Sequence, residues 1–527
     1  MSWKRSLSQV PWHPFLLSVS PVLALLAANP EQAEAGEAIR PALMMLFGEA
    51  VLLGLTLAAT RNIHRAAIIA SGLTLLFVTY GHLYGELENL SLFGEVLGRH
   101  RYLLPAWGAL AVGVVLAGGR MGRPERWTGG LNLASALLVV APVVTWVGFA
   151  AAAGVAGEPG GSADQTPAGE MILPANPPDV YYILLDGYAR ADVLETMFSY
   201  DNSEFVDELR SRGFYVADRS TSNYAQTDLS IASSLNMAYL QDLEASLGPD
   251  STARSPLRPY LQKSRLRAAL ESLGYRTIAF DTGYKATELR DADVYLNPRR
   301  EGLLKYMEQG ELTPFESMLV YSTGLRLLAD SSKVLPQFLR PDIDSPFERH
   351  RQRIQFALDS LAELPVEPGA KFVFVHLISP HQPFVFGPNG EAIDPAGPFT
   401  LAAEDAGDRR ERSKRGYVGQ IEFLNDRVLW VVDRLLQDSE TPPVIVLQGD
   451  HGPPTGGPSA EDRMSILNAF YLPGGPAAHL YSSITPVNTF RLILSEYFGA
   501  GLPLLEDIAY YSSYEAPYDF RVIEASD

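Results

Sequence analysis

Five long apolar stretches dominate the first 155 residues of the chain. A hydrocarbon core about 30 Å thick requires roughly 20 apolar residues in a helix, which is close to the length of each stretch. The pattern therefore predicts an all-α transmembrane bundle of five helices in residues 1–155. A cleaved signal peptide is the alternative for the first stretch, but four further stretches follow it and favour an uncleaved helix. The stretches are Trp12–Ala28, Pro41–Thr60, Ala66–Tyr84, Tyr102–Gly118 and Leu131–Val155.

Charged residues between these stretches indicate how the bundle is oriented. Basic side chains precede the first stretch and lie in the second and fourth connections, namely Lys4, Arg5, Arg61, Arg65, Arg120, Arg123 and Arg126. Because cytoplasmic loops are enriched in Lys and Arg, we expect the N-terminus in the cytoplasm and everything after the fifth helix outside it. Glu49 lies within the second stretch, where a carboxylate either faces the interior of the bundle or serves a function.

The pattern changes after the fifth stretch. Residues 156–177 are rich in Ala, Gly and Pro and lack periodicity, which predicts a flexible linker. In residues 178–527, short apolar runs alternate with stretches of helical spacing. This predicts an extracytoplasmic α/β domain with a mostly parallel central sheet flanked by helices. The predicted strands are Val180–Leu185, Arg276–Phe280, Phe372–Leu377 and Val444–Leu447, and the predicted helices include Ser203–Arg212, Leu266–Leu273, Phe347–Leu364 and Gly419–Gln437.

Metal-binding side chains directly follow two of the predicted strands. The first strand is followed by Asp186, and the last by Gln448-Gly-Asp450-His451-Gly. Ligands of α/β sheets collect beyond the carboxyl ends of the strands. Two carboxylates and an imidazole there suit Zn²⁺ or Mn²⁺, with Mg²⁺ as an alternative. Asp186-Gly187 taken alone is also a common turn, whereas Asp450-His451-Gly452 after an apolar strand is rarer, so the metal site is a prediction from the combination.

A hydroxyl side chain lies between these motifs, at the start of a predicted helix. Thr227 occupies the N-cap or first turn, where free N–H groups and the helix dipole favour an incoming phosphate oxygen. It either caps the helix or, with a divalent cation, acts as a nucleophile, and Ser230 is the next candidate. Asn236 lies on one side of the same helix, and we expect it to contact the substrate.

Two histidines flank the end of the third predicted strand. His376 belongs to the apolar run and His381 to the Pro-rich loop that follows. His376 is either a core histidine or a substrate contact, whereas His381 is better placed to touch a substrate.

Charge and cysteine content exclude several classes of function. The net charge of −19 argues against a nucleic-acid partner, because phosphate backbones recruit basic surfaces. The chain contains no cysteine, which excludes disulfides, Cys-based zinc sites and a thiol nucleophile.

Taken together, these motifs resemble the alkaline phosphatase/sulfatase superfamily over residues 178–475. The branch they resemble most comprises the membrane-bound lipoteichoic acid synthases and the lipid A phosphoethanolamine transferases. The resemblance implies that Asp186, Thr227, Asp450 and His451 hold one catalytic metal ion, with Thr227 as the nucleophile. It also implies that His381, in a His-x-Pro motif, contacts the substrate phosphate. The stretch Tyr417–Asp426 is similar to the helix before the last strand in these enzymes, and Phe470–Gly474 to the strand after the metal motif.

The chain departs from the family pattern at three points. The transferases usually carry Glu at the position of Asp186, and the disulfides of the phosphoethanolamine transferases cannot form here. Sulfatases of this fold make their nucleophile from Cys or Ser in a Cys/Ser-x-Pro-x-Arg motif, which this chain lacks. Phosphoester chemistry is therefore favoured over sulfate ester chemistry.

The prediction is thus a sulfatase-like hydrolase or transferase, integral to the bacterial inner membrane as a multi-pass protein, with its catalytic domain outside the cytoplasm. Its substrate would be the phospho-head-group of a membrane lipid or an envelope glycan. The alternatives are a sulfuric ester hydrolase or phosphodiesterase of the same fold, a non-catalytic membrane scaffold and a transporter. The odd number of spans and the scarcity of intramembrane charge argue against a transporter.

Overall fold

The computed structural model describes most of the chain. It covers residues 10–29, 35–88, 91–92, 95–96, 98–155, 171–298, 314–331, 345–395, 399, 401, 409–453 and 460–523. The chain forms two compact units. Unit 1 comprises Met1–Val155 and Glu301–Pro346, and unit 2 comprises Ala156–Arg300 and Phe347–Asp527.

Unit 1 contains a helix at each of the five predicted stretches. The helices are α1 (His13–Ala28), α2 (Ala35–Thr60), α3 (Ile63–Glu88), α4 (His100–Arg120) and α5 (Glu125–Val155). Among the described residues, four helices are long and apolar enough to cross a membrane, and these are α2 to α5. Helix α1 is equally apolar in character but has only 16 residues. The prediction of a helical bundle is confirmed, whereas five full-length spans are not, because α1 is shorter than the roughly 20 residues required.

Unit 1 also contains residues from the middle of the sequence. Helices Pro314–Ser322 and Arg326–Ser331 pack on the bundle, although the sequence pattern assigned residues 178–527 to the extracytoplasmic domain. The physical reason is apolar burial, since Phe315 and Leu319 form one cluster with Val22 and Leu26. Two short antiparallel strands, Ser91–Leu92 and Glu95–Val96, lie between α3 and α4.

Unit 2 is built on a seven-stranded, mostly parallel sheet, as predicted. Its strands are β1 (Val180–Leu185), β2 (Tyr215–Val216), β3 (Arg276–Phe280), β4 (Val294–Leu296), β5 (Lys371–Leu377), β6 (Val444–Gly449) and β7 (Asn468–Tyr471). Their spatial order is β2-β7-β6-β1-β5-β3-β4. The run from β6 to β4 is parallel, and β7 pairs antiparallel with both β6 and β2. A separate antiparallel pair, Ala509–Tyr511 with Arg521–Ile523, follows near the end of the described chain.

Helices cover the sheet, and β1 is buried along its whole length. Tyr181 and Ile183 belong to one hydrophobic core, whereas Tyr182 and Leu184 belong to a second. Because side chains alternate along a strand, two cores mean that both faces of the sheet are covered. The α-helices of unit 2 are α6 (Ala191–Phe198), α7 (Ser203–Ser211), α8 (Thr227–Asn236), α9 (Gln241–Leu247), α10 (Arg258–Gln262), α11 (Arg265–Ser272), α12 (Pro346–Glu363), α13 (Arg409–Asp438), α14 (Ala460–Met464) and α15 (Pro486–Phe498). Short 3₁₀ turns occupy Ser255–Leu257, Lys285–Thr287, Leu364–Val366 and Pro476–His479.

The strand register determines where the chemistry lies. Leu185 of β1 pairs with Leu377 of β5 on one side and with Gly449 of β6 on the other. The three strands therefore end at the same level. Asp186 and Asp450, each the first residue after its strand, must then emerge side by side at one edge of the sheet.

Candidate metal centre and nucleophile

Three ionisable side chains meet at this edge of the sheet. Ligand atoms of Asp186, Asp450 and His451 all lie within 4.8 Å of one another, and all three residues are buried. His451 Nε2 is 3.5 Å from Asp186 Oδ1 and 3.5 Å from Asp450 Oδ2. The side chains that follow β1 and β6 thus converge on one point, although 264 positions separate Asp186 from Asp450 in the chain.

Glycines allow the two strand ends to approach this closely. The N–H of Gly187 donates to Asp450 Oδ1 at 2.9 Å, and Gly187 has a φ of 72°, which glycine adopts without strain. A Cβ at Gly449 would lie 2.4 Å from the carbonyl oxygen of Tyr188, and a Cβ at Gly452 would lie 2.4 Å from that of Asp462. Any side chain at either position would push the backbone segments apart.

A hydrogen bond sets the tautomer of His451. Its Nδ1 lies 2.8 Å from the carbonyl oxygen of Gly452. Because a carbonyl only accepts, Nδ1 carries the proton and Nε2 presents its lone pair toward Asp186 and Asp450. Burial, reinforced by the positive charge of Arg463, holds the pKa of His451 well below its usual value. The imidazole is therefore neutral, which is the form that binds metals.

The burial and the pKa values of the two carboxyl groups favour a cation site. Asp186 Oδ1 and Asp450 Oδ2 are buried, and neither accepts a hydrogen bond from the part of the chain that the structure describes. Burial and the charge of Asp186 raise the pKa of Asp450 to about 6. Burial would also raise the pKa of Asp186, but the surrounding His381, His376 and His451 hold it below its usual value. Burying two carboxylates this close together raises the free energy of the folded state unless a cation lies between them.

The predicted nucleophile Thr227 lies beside these three residues. It is the first residue of α8, after Gln226 in an extended conformation that provides no side-chain cap. Thr227 Oγ1 lies 3.2 Å from His451 Nε2, and Thr227 is partly exposed while its neighbours from 222 to 236 are buried. In a tetrahedral zinc site with bond lengths of about 2.0–2.2 Å, neighbouring ligand atoms are about 3.3–3.6 Å apart. The separations of 3.2 and 3.5 Å around His451 Nε2 are close to this spacing.

The two predicted histidines both lie beside this centre. His376 Nε2 is 3.4 Å from Asp186 Oδ2, and its Nδ1 is 2.9 Å from the hydroxyl of Thr287. His381 is half-buried, and its backbone N–H donates to the carbonyl of Asp186 at 2.9 Å. Its Nδ1 donates to the carbonyl of Gln382 at 2.8 Å, which leaves Nε2 available. His381 is the more accessible of the two, as its position in the loop indicated.

Asn236 lies elsewhere, at the last residue of α8, nine positions after Thr227. Its amide nitrogen donates to the carbonyls of Ala232 and Tyr260, both at 2.7 Å, and its side-chain oxygen accepts from the N–H of Arg265. These bonds occupy the amide in joining α8 to α10 and α11. The polar side of the helix at Asn236 thus faces a neighbouring chain segment, and a substrate contact of Asn236 stays a prediction.

Several residues that support the centre could not be identified from the motifs. The guanidinium of Arg463 donates to the carbonyls of Ala225, Gly452 and Pro453, so it joins the loop after His451 to the segment before Thr227. The only signal in the sequence is a single arginine shortly after the metal motif.

Two further supports lie beside the metal ligands. Arg254 Nη1 donates to both oxygens of Asp228 at 2.8 Å, which neutralises the carboxylate next to Thr227. On α13, the hydroxyl of Tyr417 donates to the carbonyl of Gly187 at 2.6 Å and accepts from the N–H of Ala189. The turn that carries Asp186 is thus fixed from the outside.

Comparison with known proteins gives structural matches. No protein-family model and no curated protein sequence matches the chain. The C-terminal periplasmic domain of EptC from Escherichia coli, in complex with Zn, has 12% identity and a TM-score of 0.41, and the match covers 66% of this chain and 93% of that one. The integral membrane lipooligosaccharide phosphoethanolamine transferase A from Neisseria meningitidis has 13% identity, a TM-score of 0.38 and coverage of 93% and 96%. A 2-O GAG sulfatase, BT1596, has 16% identity, a TM-score of 0.36 and coverage of 63% and 72%. The matched structures thus include phosphoethanolamine transferases and sulfatases.

Proposed function

We propose that this chain is a membrane-anchored, metal-dependent enzyme that transfers or hydrolyses a phosphoryl-type ester through Thr227. The observation that carries the proposal is the position of the Thr227 hydroxyl. It lies 3.2 Å from His451 Nε2, beside two buried carboxylates and at the start of a helix. A role in capping the helix would not explain why the Thr227 hydroxyl lies beside the candidate ligands of a cation site.

Asp186, Thr227, Asp450 and His451 would hold the ion. The mixed oxygen and nitrogen donors suit Zn²⁺ or Mn²⁺, and Mg²⁺ is the less favoured alternative because it prefers oxygen ligands and water. A bound divalent ion would make the threonine alkoxide accessible at neutral pH and offset the negative charge of the phosphoryl group. The unpaired oxygens of Asp186 and Asp450 support this assignment.

The chain's own residues would carry out the transfer. Thr227 Oγ attacks phosphorus, its bond to phosphorus forms, and the bond between phosphorus and the leaving alcohol breaks. The hydroxyl proton leaves Thr227 and the leaving alkoxide takes up a proton, so the charge balances. The N-terminus of α8 would orient the phosphoryl oxygens, and His381 Nε2 would contact the same group. An acceptor hydroxyl then attacks phosphorus and releases Thr227.

The acceptor decides between a transferase and a hydrolase, since water in the second step gives hydrolysis. A phospho-head-group of a membrane lipid or an envelope glycan is the expected substrate, because four helices among the described residues are long and apolar enough to cross a membrane. The excess of basic residues in the second and fourth connections supports an inner-membrane protein with unit 2 outside the cytoplasm. The net charge of −19 disfavours a nucleic-acid substrate.

The test is the Thr227→Ala variant of the full chain. We expect turnover of a phosphodiester lipid to fall by about 10⁴-fold or more, because the covalent route disappears with the hydroxyl. Thr227→Ser should retain part of the activity. Intact mass after exposure to phospholipid should reveal a covalent adduct in the unmodified protein that is absent from the Ala variant.

Ser230→Ala is the matched control, since Ser230 lies one turn along the same helix and is buried. It should keep both turnover and the adduct. If Thr227→Ala turned over substrate normally and lost only about 1 kcal/mol of stability, Thr227 would be a helix-capping residue and the proposal would fail.

A further inference from the structure

A segment from the middle of the sequence packs on the bundle of unit 1. Residues 314–331, hereafter the docking segment, fall between β4 and α12 of unit 2 in the sequence. Phe315 and Leu319 are buried, and they share a hydrophobic cluster with Val22 and Leu26 of α1 and Ala38 of α2. Exposed apolar residues are common on membrane helices. Buried apolar side chains such as these two require a partner surface of complementary shape.

The backbones of the docking segment and α3 are in direct contact. The N–H of Gly324 donates to the carbonyl of Phe77 on α3 at 2.7 Å. A Cβ at Gly81, one turn along α3, would lie 2.3 Å from the carbonyl oxygen of Tyr321 and 2.6 Å from the backbone nitrogen of Thr323. Only glycine fits there. Close backbone approach through small residues is how helices associate within membranes.

Charged and polar pairs fix the register of this contact. Arg40 on α2 forms an ion pair with Glu316 at 3.2 Å, and the Glu316 side chain is nearly fully buried. At the other end of the docking segment, Asp330 Oδ2 lies 2.9 Å from His100 Nε2 on α4. The other ring nitrogen of His100 is 2.8 Å from the hydroxyl of Tyr80 on α3. Contacts to α1, α2, α3 and α4 therefore hold one short segment, which makes the interface specific.

We propose that the docking segment is a second, noncovalent anchor, by which the part of the chain that carries Thr227 is attached to the bundle independently of the linker at residues 156–170. The docking segment binds in the apolar groove between α1, α2 and α3 of the same chain. The linker gives one covalent attachment. The docking segment supplies an interaction that persists when that attachment is cut.

The experiment uses the full-length protein in detergent, with an affinity tag at the N-terminus and a site for a sequence-specific protease within residues 156–170. After cleavage, the C-terminal fragment should remain with the tagged bundle through purification. In the Phe315→Asp/Leu319→Asp variant, at least about tenfold less C-terminal fragment should be retained, because two charges would have to enter the apolar groove. Met318→Asp is the matched control, since Met318 is 37% exposed on the same helix, and it should retain the fragment.

A second measurement avoids dependence on the folding of a variant. Protease sites placed also within residues 299–313 and 332–344 cut the docking segment from its flanks in the otherwise unchanged protein. Unit 2 should then leave the column while residues 314–331 stay with the bundle. Loss of the C-terminal fragment after the linker cut alone would overturn the proposal, as would equal retention after all three cuts. Neither result depends on catalysis, so the outcome is independent of the role of Thr227.

Discussion

Replacing Gly449 with alanine adds one methyl group between the ends of β6 and β1. That methyl would lie 2.4 Å from the carbonyl oxygen of Tyr188, whereas ordinary contact begins at 3.4 Å. The obstructing atom is backbone, so a movement of about 1.0 Å has to come from the two strand ends themselves. Asp450 directly follows Gly449, and Asp186 lies two residues before Tyr188, so the movement separates the two carboxylates.

This displacement is large for a metal site, where ligand distances hold to within about 0.2 Å. We expect the affinity for Zn²⁺ to fall about 10–100-fold, the loss typical of a disturbed supporting shell. Overpacking of this size should also lower the free energy of unfolding by about 1–3 kcal/mol. The two effects have different origins, and both follow from the single close contact with Tyr188.

Competition against chelators of graded affinity measures the first effect, and chemical denaturation of the metal-free protein measures the second. Gly419→Ala is the matched control, because the nearest atom that a methyl on this helical glycine meets is Cδ of Pro388, at 3.3 Å. It should bind Zn²⁺ as the unmodified protein does. If Gly449→Ala also bound Zn²⁺ with unchanged affinity, the argument that this glycine sets the spacing of the carboxylates would be refuted.

Three further predictions follow from the structure. Arg254→Met should lower the free energy of unfolding by about 3 kcal/mol or more, since it leaves the buried Asp228 carboxylate unpaired, and adding Asp228→Asn should recover part of the loss in a double-mutant cycle. Burial and the charge of Arg353 lower the pKa of His350 to about 3. Below about pH 6.5 the unfolded chain takes up a proton at this histidine and the folded chain does not. The free energy of unfolding therefore falls by about 1.4 kcal/mol per pH unit as the pH drops from 6.5 toward 3. His350→Gln should therefore reduce the drop in unfolding temperature between pH 7 and pH 5. A reporter enzyme fused after Asp527 should be active only outside the cytoplasm, and protection of unit 2 from protease in cells with a permeabilised outer membrane would contradict this orientation.

The hydrophobic pattern predicted the central strands of unit 2 closely. Runs such as Val180–Leu185 and Arg276–Phe280 form strands with the predicted bounds. A parallel strand buried on both faces is a continuous apolar run, which gives a strong local signal. The edge strands Tyr215–Val216 and Val294–Leu296 were not predicted, because two or three half-buried residues produce no such run.

The ligand set could be proposed from the sequence for a similar reason. Parallel strands end at a common edge, so residues that follow them, such as Asp186 and Asp450, become neighbours whatever the sequence separation. Asn236 shows the limit of this reasoning, since a polar position on a helix does not reveal whether a ligand or another chain segment faces it. Arg463 was missed because its role depends on three backbone carbonyls, which carry no signature in the sequence.

The docking segment lay beyond what periodicity could indicate. Its apolar positions, including Phe315 and Leu319, are those of a short apolar helix, which an α/β domain can also contain. The partners that distinguish it, such as Gly81 and Phe77, lie more than 200 positions earlier in the chain. Local patterns describe a helix but not the surface on which it packs.

The position of the docking segment in the sequence has a consequence for synthesis. Helix α5 ends at Val155, and the segment begins at Pro314. At about 5–20 residues per second, roughly 10–30 s separate the emergence of the two from the ribosome. During that interval the docking segment is not yet present to bury the groove lined by Val22, Leu26 and Ala38. A nascent chain that stops before residue 314 therefore leaves its bundle unfinished, even though helices α1 to α5 have all been made.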